Sequence, residues 1–429
     1  MQLKKIAALI ALVGLSGSAF ATNGYFPHGY GMKAKGMGGV GIAYGQDAMA
    51  AAINPANMVL VGNRWDAGVD YFRPQREASI TGNAFGPDAK YDGNSSENYF
   101  VPEFGYNKMI ANNMSLGVSV YGNGGMATDY DDNPFRRFAP PGTPMGNAGV
   151  DLAQLMIAPT LSYKLNADHA IGVSLKIAYQ RFEAFGLQPF AFPPPFNASL
   201  SPTKVTNNGH DSSWGWGIGI GWTGQITPTV KLGATYQSKT SMQEFDDYKG
   251  LFAEKGGFDI PENYGIGMSW QATPQLVIAA DINQINFSKI NSVGNKVDCL
   301  FVGACQLGSN NGAGFGWDDM TVYKIGVAYD LNKEWTVRAG YNYSSQPIPK
   351  SQTFFNILAP ATVEDHLTLG ATWRLASGGE VTFAYMHAFE ETVKGVNSIP
   401  PGFPPGFGGG NANLKMYEDS FGVSYGVKF

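Results

Sequence analysis

Charge is scarce in this chain. Asp, Glu, Lys and Arg make up 15% of 429 residues, against ~25% in ordinary soluble domains. Long apolar runs are missing as well. Beyond the first twenty residues no stretch approaches the ~18 apolar residues of a membrane-crossing helix, which excludes a polytopic helical membrane protein. Two Cys are too few for a disulfide-dense secreted fold. A basic face is lacking: 29 Lys and Arg against 34 Asp and Glu leave a net charge of −5, so nucleic acid is not an expected partner. The five His are scattered without metal-ligand spacing, and neither a metal nor another cofactor is expected. Glycine is abundant, at 56 residues, and aromatics reach 13%. A chain so poor in charge and rich in both points to an all-β protein.

The first residues read as an address. Lys4 and Lys5, an apolar core from Ile6 to Leu15 and the small-x-small Ala19-Phe20-Ala21 make residues 1–21 an expected secretory signal peptide. The apolar core is too short to cross a bilayer, so cleavage after Ala21 is expected rather than a retained anchor.

From Trp65 onward the pattern has period two, the mark of strands. Trp214, Trp216, Ile218, Ile220 and Trp222 occupy one face of a segment whose other face is glycine. Lipid outside and a crowded or open lumen inside account for both faces. Fourteen such segments are expected, at 65–76, 100–110, 114–122, 152–165, 169–183, 214–226, 230–238, 264–272, 276–287, 321–331, 335–344, 366–375, 380–390 and 419–429. Short turns such as Asn166-Ala167-Asp168 and Asn332-Lys333-Glu334 alternate with long connections such as 185–213 and 289–319. That asymmetry belongs to outer-membrane barrels, with the short turns periplasmic. Residues 64–429 are thus expected to form a transmembrane antiparallel β-barrel of about fourteen strands. The terminal Phe429, on an alternating strand, suits recognition by barrel-assembly machinery.

Residues 22–63 do not alternate. A Gly-rich approach, Gly36-Met-Gly38-Gly39-Val-Gly41-Ile-Ala43, leads to Asp47 and then to Asn54-Pro55-Ala56. So short a segment is too small for an independent domain, and folding into the barrel is its simplest way to bury Met49, Ile53 and Met58. Here the chain resembles the FadL/TodX type of long-chain fatty-acid and hydrocarbon channels. The resemblance spans the mature chain in architecture and about 35 residues in motif. It implies a lumen closed by an N-terminal hatch of residues 22–63. It also implies a gate at Asn54, Pro55 and Ala56 against an inward kink of the third strand, for which Gly122, Gly124 and Gly125 are the matching residues. The sequence departs from the usual pattern at Asn57, where glycine is common.

Formal matches to other chemistries fail on context. Gly36-x-Gly38-x-x-Gly41 has no buried strand before it. Gly422-x-Ser424-x-Gly426 has no acid or His after it, so no catalytic residue is assigned. Cys299 and Cys305 sit in one long loop and suit a loop-pinning disulfide, with free thiols as the alternative. Strand parity turns Lys176, Lys231, Lys324, Arg338 and Arg374 inward, together with Glu103, Asp281 and Asp330. These groups either pair with one another and with the hatch or hold the carboxylate of an amphipath. Arg338 and Lys324 are the leading candidates for the second role, with Lys176 beside them. Two proline-rich loops carry Phe190, Phe192 and Phe196, and Phe403 and Phe407. They serve either as a surface that captures a greasy ligand or as loop-on-loop packing.

The expected function is passive uptake of hydrophobic small molecules through the outer membrane of a Gram-negative bacterium, with long-chain fatty acids first and aromatic or alkane hydrocarbons second. Outer-membrane lipid and lipopolysaccharide are the expected surroundings, and a monomer the expected state. Two rivals remain: a general porin, and an outer-membrane lipid hydrolase, for which His387 finds no Ser partner.

Overall fold

The computed structural model describes residues 22–192, 198–402 and 406–429. The expected signal peptide, Phe196 and Phe403 lie outside the described residues. Fourteen strands make the wall: β1 Arg64–Thr81, β2 Tyr99–Ala111, β3 Met114–Tyr130, β4 Ala148–Lys164, β5 His169–Phe185, β6 Asp211–Thr227 and β7 Val230–Gln237, then β8 Asn263–Thr273, β9 Leu276–Ile285, β10 Met320–Asp330, β11 Trp335–Ser344, β12 Asp365–Arg374, β13 Gly379–Lys394 and β14 Asn411–Lys428. Each pairs antiparallel with its neighbour in sequence, and β14 returns to β1 from Arg64↔Lys428 to Thr81↔Asn411. The barrel is closed, so the wall has no free edge. Two short strands, Ala89–Asp92 and Ser241–Met242, add to the upper ends of β1 and β6.

The tight turns have a local cause. Asn166 and Asn332 each accept two backbone N–H bonds, from Asp168 and His169 and from Glu334 and Trp335. Thr227 and Thr273 do the same through their hydroxyls. Such side chains mimic a turn's own hydrogen bond. All four turns are therefore held by hydrogen bonds from within the turn itself.

Side chains on the outer face are apolar and exposed: Trp216 and Ile266 at 62%, Phe100 at 55% and Leu369 at 52%. A soluble protein would not leave such a belt bare; lipid covers it. Above the belt the rule inverts. On β14, Ala412, Leu414 and Met416 point inward and are buried, while Asn413 and Lys415 point out. On β1, Phe72, Ala78 and Ile80 are the buried row. Water replaces lipid outside at that level, and the inner row packs against the long loops.

Those loops close over the barrel mouth through aromatic side chains. Phe190 meets Phe135, Phe354, Phe355 and Phe407 at ring-centroid distances of 5.5, 6.1, 5.1 and 5.6 Å. Phe190 is therefore buried within a loop cluster rather than standing on the surface, Phe407 is half-buried beside it, and so is Phe192. Proline stiffens these loops, but neighbouring loops supply enough rings to bury them. Cys299 and Cys305 are joined in a disulfide in the same region. Tyr248, in the loop after β7, donates to the Gly209 carbonyl at 2.6 Å, and burial pushes its phenol up to about 12.

Candidate functional site

Residues 22–63 run inside the barrel, and nearly all are buried. Glycine rows on the wall make the room. A Cβ on Gly221 would lie 1.8 Å from Asn54 Oδ1, and one on Gly172 would lie 2.3 Å from the Pro55 carbonyl carbon. On the opposite side, a Cβ on Gly340 would come within 2.1 Å of the Gly38 amide nitrogen. The lower half of the empty face of the Trp214–Trp222 segment, Gly219 and Gly221, is thus the seat of Asn54-Pro55, while Met242 and Thr240 cover Gly215 and Gly217.

Asn54 is fully buried and spends its whole side chain there. Its Nδ2 donates to the Ile42 carbonyl at 2.7 Å, the Trp222 carbonyl at 3.0 Å and Thr223 Oγ1 at 3.1 Å, while its Oδ1 accepts from the Ala56 amide at 3.0 Å. Ala56 offers its carbonyl to Ser162 Oγ at 2.9 Å. Asn57 needs no left-handed backbone, since its φ is −70°, and its amide donates to the Gly41 carbonyl at 2.9 Å. The departure from glycine is thereby accommodated. Asn54→Ala leaves several buried groups without partners, at ~1–3 kcal/mol each before relaxation. We expect a loss of about 3 kcal/mol, read as a lower melting temperature of the detergent-solubilised protein; an unchanged melt would refute the role of these bonds.

Acidic side chains on the wall hold the segment's backbone. Glu103 accepts from the Gly31 and Met32 amides, both at 3.2 Å. Asp281 accepts from Gly41 at 2.7 Å and Ile42 at 3.1 Å, and Asp66 from Ala48 at 2.8 Å. Lys35 pairs with Asp70 at 2.6 Å. Near the lower rim Glu380 accepts from both Lys33 and Arg64. Arg374 and Asp330, expected inside, form a half-exposed pair at 3.1 Å.

Of the three candidate cations, Lys176 and Arg338 are buried on the inner face and Lys324 is half-buried there, and their partners differ. Lys324 Nζ donates to the His28 carbonyl at 2.9 Å. Arg338 donates to Gln46 Oε1 at 3.1 Å and to Thr372 Oγ1 at 2.7 Å. Both are committed to residues of the inner segment or the wall. Lys176 Nζ donates to the Tyr121 hydroxyl at 2.9 Å and lies 5.5 Å from the centre of that ring. Among the described residues no carboxylate pairs with it.

Tyr121 directly precedes the expected kink. The β3–β4 register slips between Gly122 and Gly124, so a bulge is present at the expected place. Asn54-Pro55-Ala56 packs on β4–β6, whereas the resemblance implies that it lies against the bulge. Tyr25 meets the bulge instead: its carbonyl accepts from the Gly125 amide at 3.1 Å, and a Cβ on Gly124 would lie 2.4 Å from that oxygen. Tyr30 stacks edge-on against Tyr121 at 4.7 Å and donates to Asn123 Oδ1 at 3.2 Å. From Asn123 a chain of amides runs through Gln154 to Gln180 at 3.2 and 3.1 Å. Tyr25 and Tyr30 carry no motif. Their only signal in the sequence is that, with Phe26 and Tyr44, they are the aromatic rings of a Gly- and Ala-rich segment.

Above the bulge the lumen is apolar. Tyr25, Phe287 and Trp317 stack at 5.1–6.0 Å, and the Trp317 indole donates to Asn356. One inner cavity here is lined by Tyr25, Phe72, Met126, Trp317 and Met416, and a second by Phe182, Phe190, Phe252, Phe315 and Phe355. They hold ≈ 20 and ≈ 30 Å³. An apolar cavity of about 150 Å³ is what benzene needs. Neither cavity takes such a ligand unless the loops or the inner segment around it move.

Residues 16–401 match the family described as outer membrane protein transport protein (OMPP1/FadL/TodX). A long-chain fatty acid transport protein of Salmonella typhi is 22% identical, covering 92% of this chain and 93% of the relative. One of Escherichia coli O6:H1 is 23% identical over 89% and 90%. Among solved structures, the Pseudomonas putida toluene transporter TodX is similar with a TM-score of 0.68 at 20% identity, covering 94% and 99% of the two chains. A Pseudomonas aeruginosa FadL homologue gives 0.69 at 16%, covering 95% and 100%. At these identities the solved structures speak for the fold alone.

Proposed function

The chain belongs to this OMPP1/FadL/TodX family of outer membrane transport proteins, and from that premise we propose a passive, hatch-gated uptake channel whose main substrates are long-chain fatty acids. The observation that carries the substrate reading is Lys176: a buried ammonium beneath an apolar upper lumen, with only a phenol as partner. A fatty acid combines the two properties that arrangement lacks, a carboxylate and a long tail. A charge-assisted bond to a buried cation is worth ~1.5–3 kcal/mol.

In this reading the ring-rich loops collect the ligand and the upper cavities widen to take its tail. Its carboxylate then reaches Lys176 beside the bulge. Release follows when residues 22–63 shift and Tyr25 lets go of Gly125, opening a path at β3 through the wall or down the lumen. The concentration difference and downstream consumption drive flux. Arg338 and Lys324, bound to the segment and the wall, act as anchors of the closed state. A hydrocarbon reading has one observation in its favour, because Tyr121 already satisfies Lys176 and a neutral ligand needs no cation.

Uptake of radiolabelled oleate and toluene by cells whose only such channel is this protein, carrying Lys176→Ala, Lys324→Ala or Arg338→Ala, tests the proposal. Lys176→Ala should cut oleate uptake about tenfold and spare toluene. Full oleate uptake by Lys176→Ala would sink the carboxylate site; no uptake of either compound by the unaltered protein would sink the channel.

A further inference from the structure

The outer wall holds a larger space than either upper cavity. A groove of ≈ 540 Å³ crosses β4 to β7 on the lipid-facing side, against ≈ 20 and ≈ 30 Å³ for the two cavities inside. Two outward rows border it. Leu161, Val173, Ile220 and Tyr236 face one another across the four strands on one side, and Tyr163, Ile171, Trp222 and Ala234 on the other. The rows stand two residues apart along each strand, about 7 Å. Two aromatic side chains are drawn away from the gap. The Trp222 indole leans toward the short-turn end, where it stacks on His169 at 5.8 Å and lies so close over Gly224 that a Cβ there would be 2.5 Å from its Cζ2. Tyr236 is tied toward the long-loop end, its hydroxyl donating to Glu262 Oε2 at 3.0 Å. Ala234, the cross-strand partner of Trp222, is too small to fill what the indole vacates.

The floor of the groove is one backbone thick. Gly172, Gly221 and Thr235 form it, and with Ser162 they make a single cross-strand row. On the inner side of that row residues 53–56 are laid down one per strand. Thr235 Oγ1 donates to the Ile53 carbonyl at 3.0 Å, Gly221 backs Asn54, Gly172 backs Pro55, and Ser162 Oγ donates to the Ala56 carbonyl at 2.9 Å. Whatever fills the groove is separated from the gate residues by a single peptide layer. The lining selects the occupant. Among the described residues no charged side chain lines the groove, and it lies within the belt that lipid covers. It is one hydrocarbon chain wide and far roomier than the ~150 Å³ that takes benzene. In lipid an apolar guest is held by packing rather than by the hydrophobic effect, and a preformed groove packs against it from both sides and beneath.

We propose that this groove binds one acyl chain of an outer-membrane phospholipid, and that the seated chain braces the Ser162–Thr235 row on which residues 53–56 rest. Closure of the channel is thereby tied to the lipid around it. The brace rests on the hatch-gated reading above; the acyl-chain site rests only on the lipid belt and holds whichever substrate is carried.

The test places the protein in nanodiscs of a phospholipid with a photoreactive diazirine on its acyl chain and maps the adducts by mass spectrometry. Adducts on the groove rows should outnumber those on the exposed cross-strand row Ile325, Tyr341 and Leu367 about fivefold. Ala234→Trp and Val173→Trp, which fill the groove from opposite sides, should each erase that excess while the reference row keeps its labelling. Heat-modifiable gel migration verifies that each barrel is folded. Even labelling around the belt, or an excess that survives both fillings, overturns the site. Two copies per nanodisc with no lipid adduct in the groove would assign it to a second copy and overturn it likewise. The brace has its own readout in planar bilayers. The unaltered protein should flicker open more often in methyl-branched lipid, whose chains are too broad for the groove, than in straight-chain lipid. Ala234→Trp should stay closed in both. Equal closure of the unaltered protein in the two lipids overturns the brace. None of these readouts uses the substrate, so their failure leaves the channel reading standing, whereas absent uptake of oleate and toluene sinks the channel and leaves the acyl-chain site.

Discussion

Removal of residues 22–63 should convert a closed barrel into a large, steadily conducting pore. The segment's side chains fill the lower lumen almost without gaps, and the wall behind them is largely glycine and small polar residues. Eight strands enclose a space that side chains can fill, whereas sixteen to eighteen leave a water channel. Fourteen strands with inward glycines fall on the open side of that range once the segment is gone. The wall itself does not depend on the segment, because its hydrogen bonds run between neighbouring strands all the way around. Planar bilayers loaded with the purified deletion variant should therefore show large, long-lived steps in salt that the intact protein lacks. A deletion variant that is folded, yet as silent as the parent, would contradict the plug.

Glu380→Ala should be the most damaging single substitution among the residues that hold the segment. One carboxylate serves two cations: Lys33 of the inner segment and, at 2.6 Å, Arg64 at the foot of β1. Their side chains are 8% and 2% exposed, so neither recovers hydration when the acid is removed. Breaking a buried pair from one side costs ~3–5 kcal/mol, because the stranded charge outweighs the lost attraction. Arg64 keeps its bond to Asp66, which places the larger share of the loss on Lys33. The cost falls on docking of the segment rather than on the wall. Flickering conductance and a lowered melting temperature are therefore expected together. The double variant Lys33→Met/Glu380→Leu should recover part of the loss, since it removes both charges. A melting temperature for Glu380→Ala equal to that of the parent would show that the pair contributes nothing.

Within the membrane belt the strands were legible almost residue by residue. Trp335–Ser344 ends where the alternation ends, and β7, β8, β10 and β12 are displaced by a residue or so at their limits. Lipid outside and a polar lumen inside force alternation of one fixed sense. The upper ends were not legible. β14 begins at Asn411 rather than Asp419, β13 runs to Lys394 rather than Glu390, and β3 continues to Tyr130 past the glycines of its bulge. Above the lipid the outward row becomes polar and the inward row apolar. A reading that follows one sense of alternation stops at the inversion, as it does at Asp419, one residue past Glu418. The buried apolar row of Leu414, Met416, Ala78 and Ile80, and with it the upper cavity, was hidden for that reason.

For the candidate site, parity alone established that Lys176, Lys324 and Arg338 face inward, because a period of two leaves only two choices. Which of them is taken up by the inner segment, as Lys324 and Arg338 are and Lys176 is not, depends on where residues 22–63 come to rest. That is a matter of glycine seats 168 residues apart in the case of Asn54 and Trp222, and no local pattern encodes it. Tyr25, rather than Asn54-Pro55-Ala56, reaches the strand-3 bulge for the same reason. Alternation, turn chemistry and glycine content, all read one strand at a time, were enough to determine a lipid-embedded barrel with an inner segment. Burial across the lumen, where groups distant in the chain compete for the same few partners, decided which partner each inward cation and ring takes.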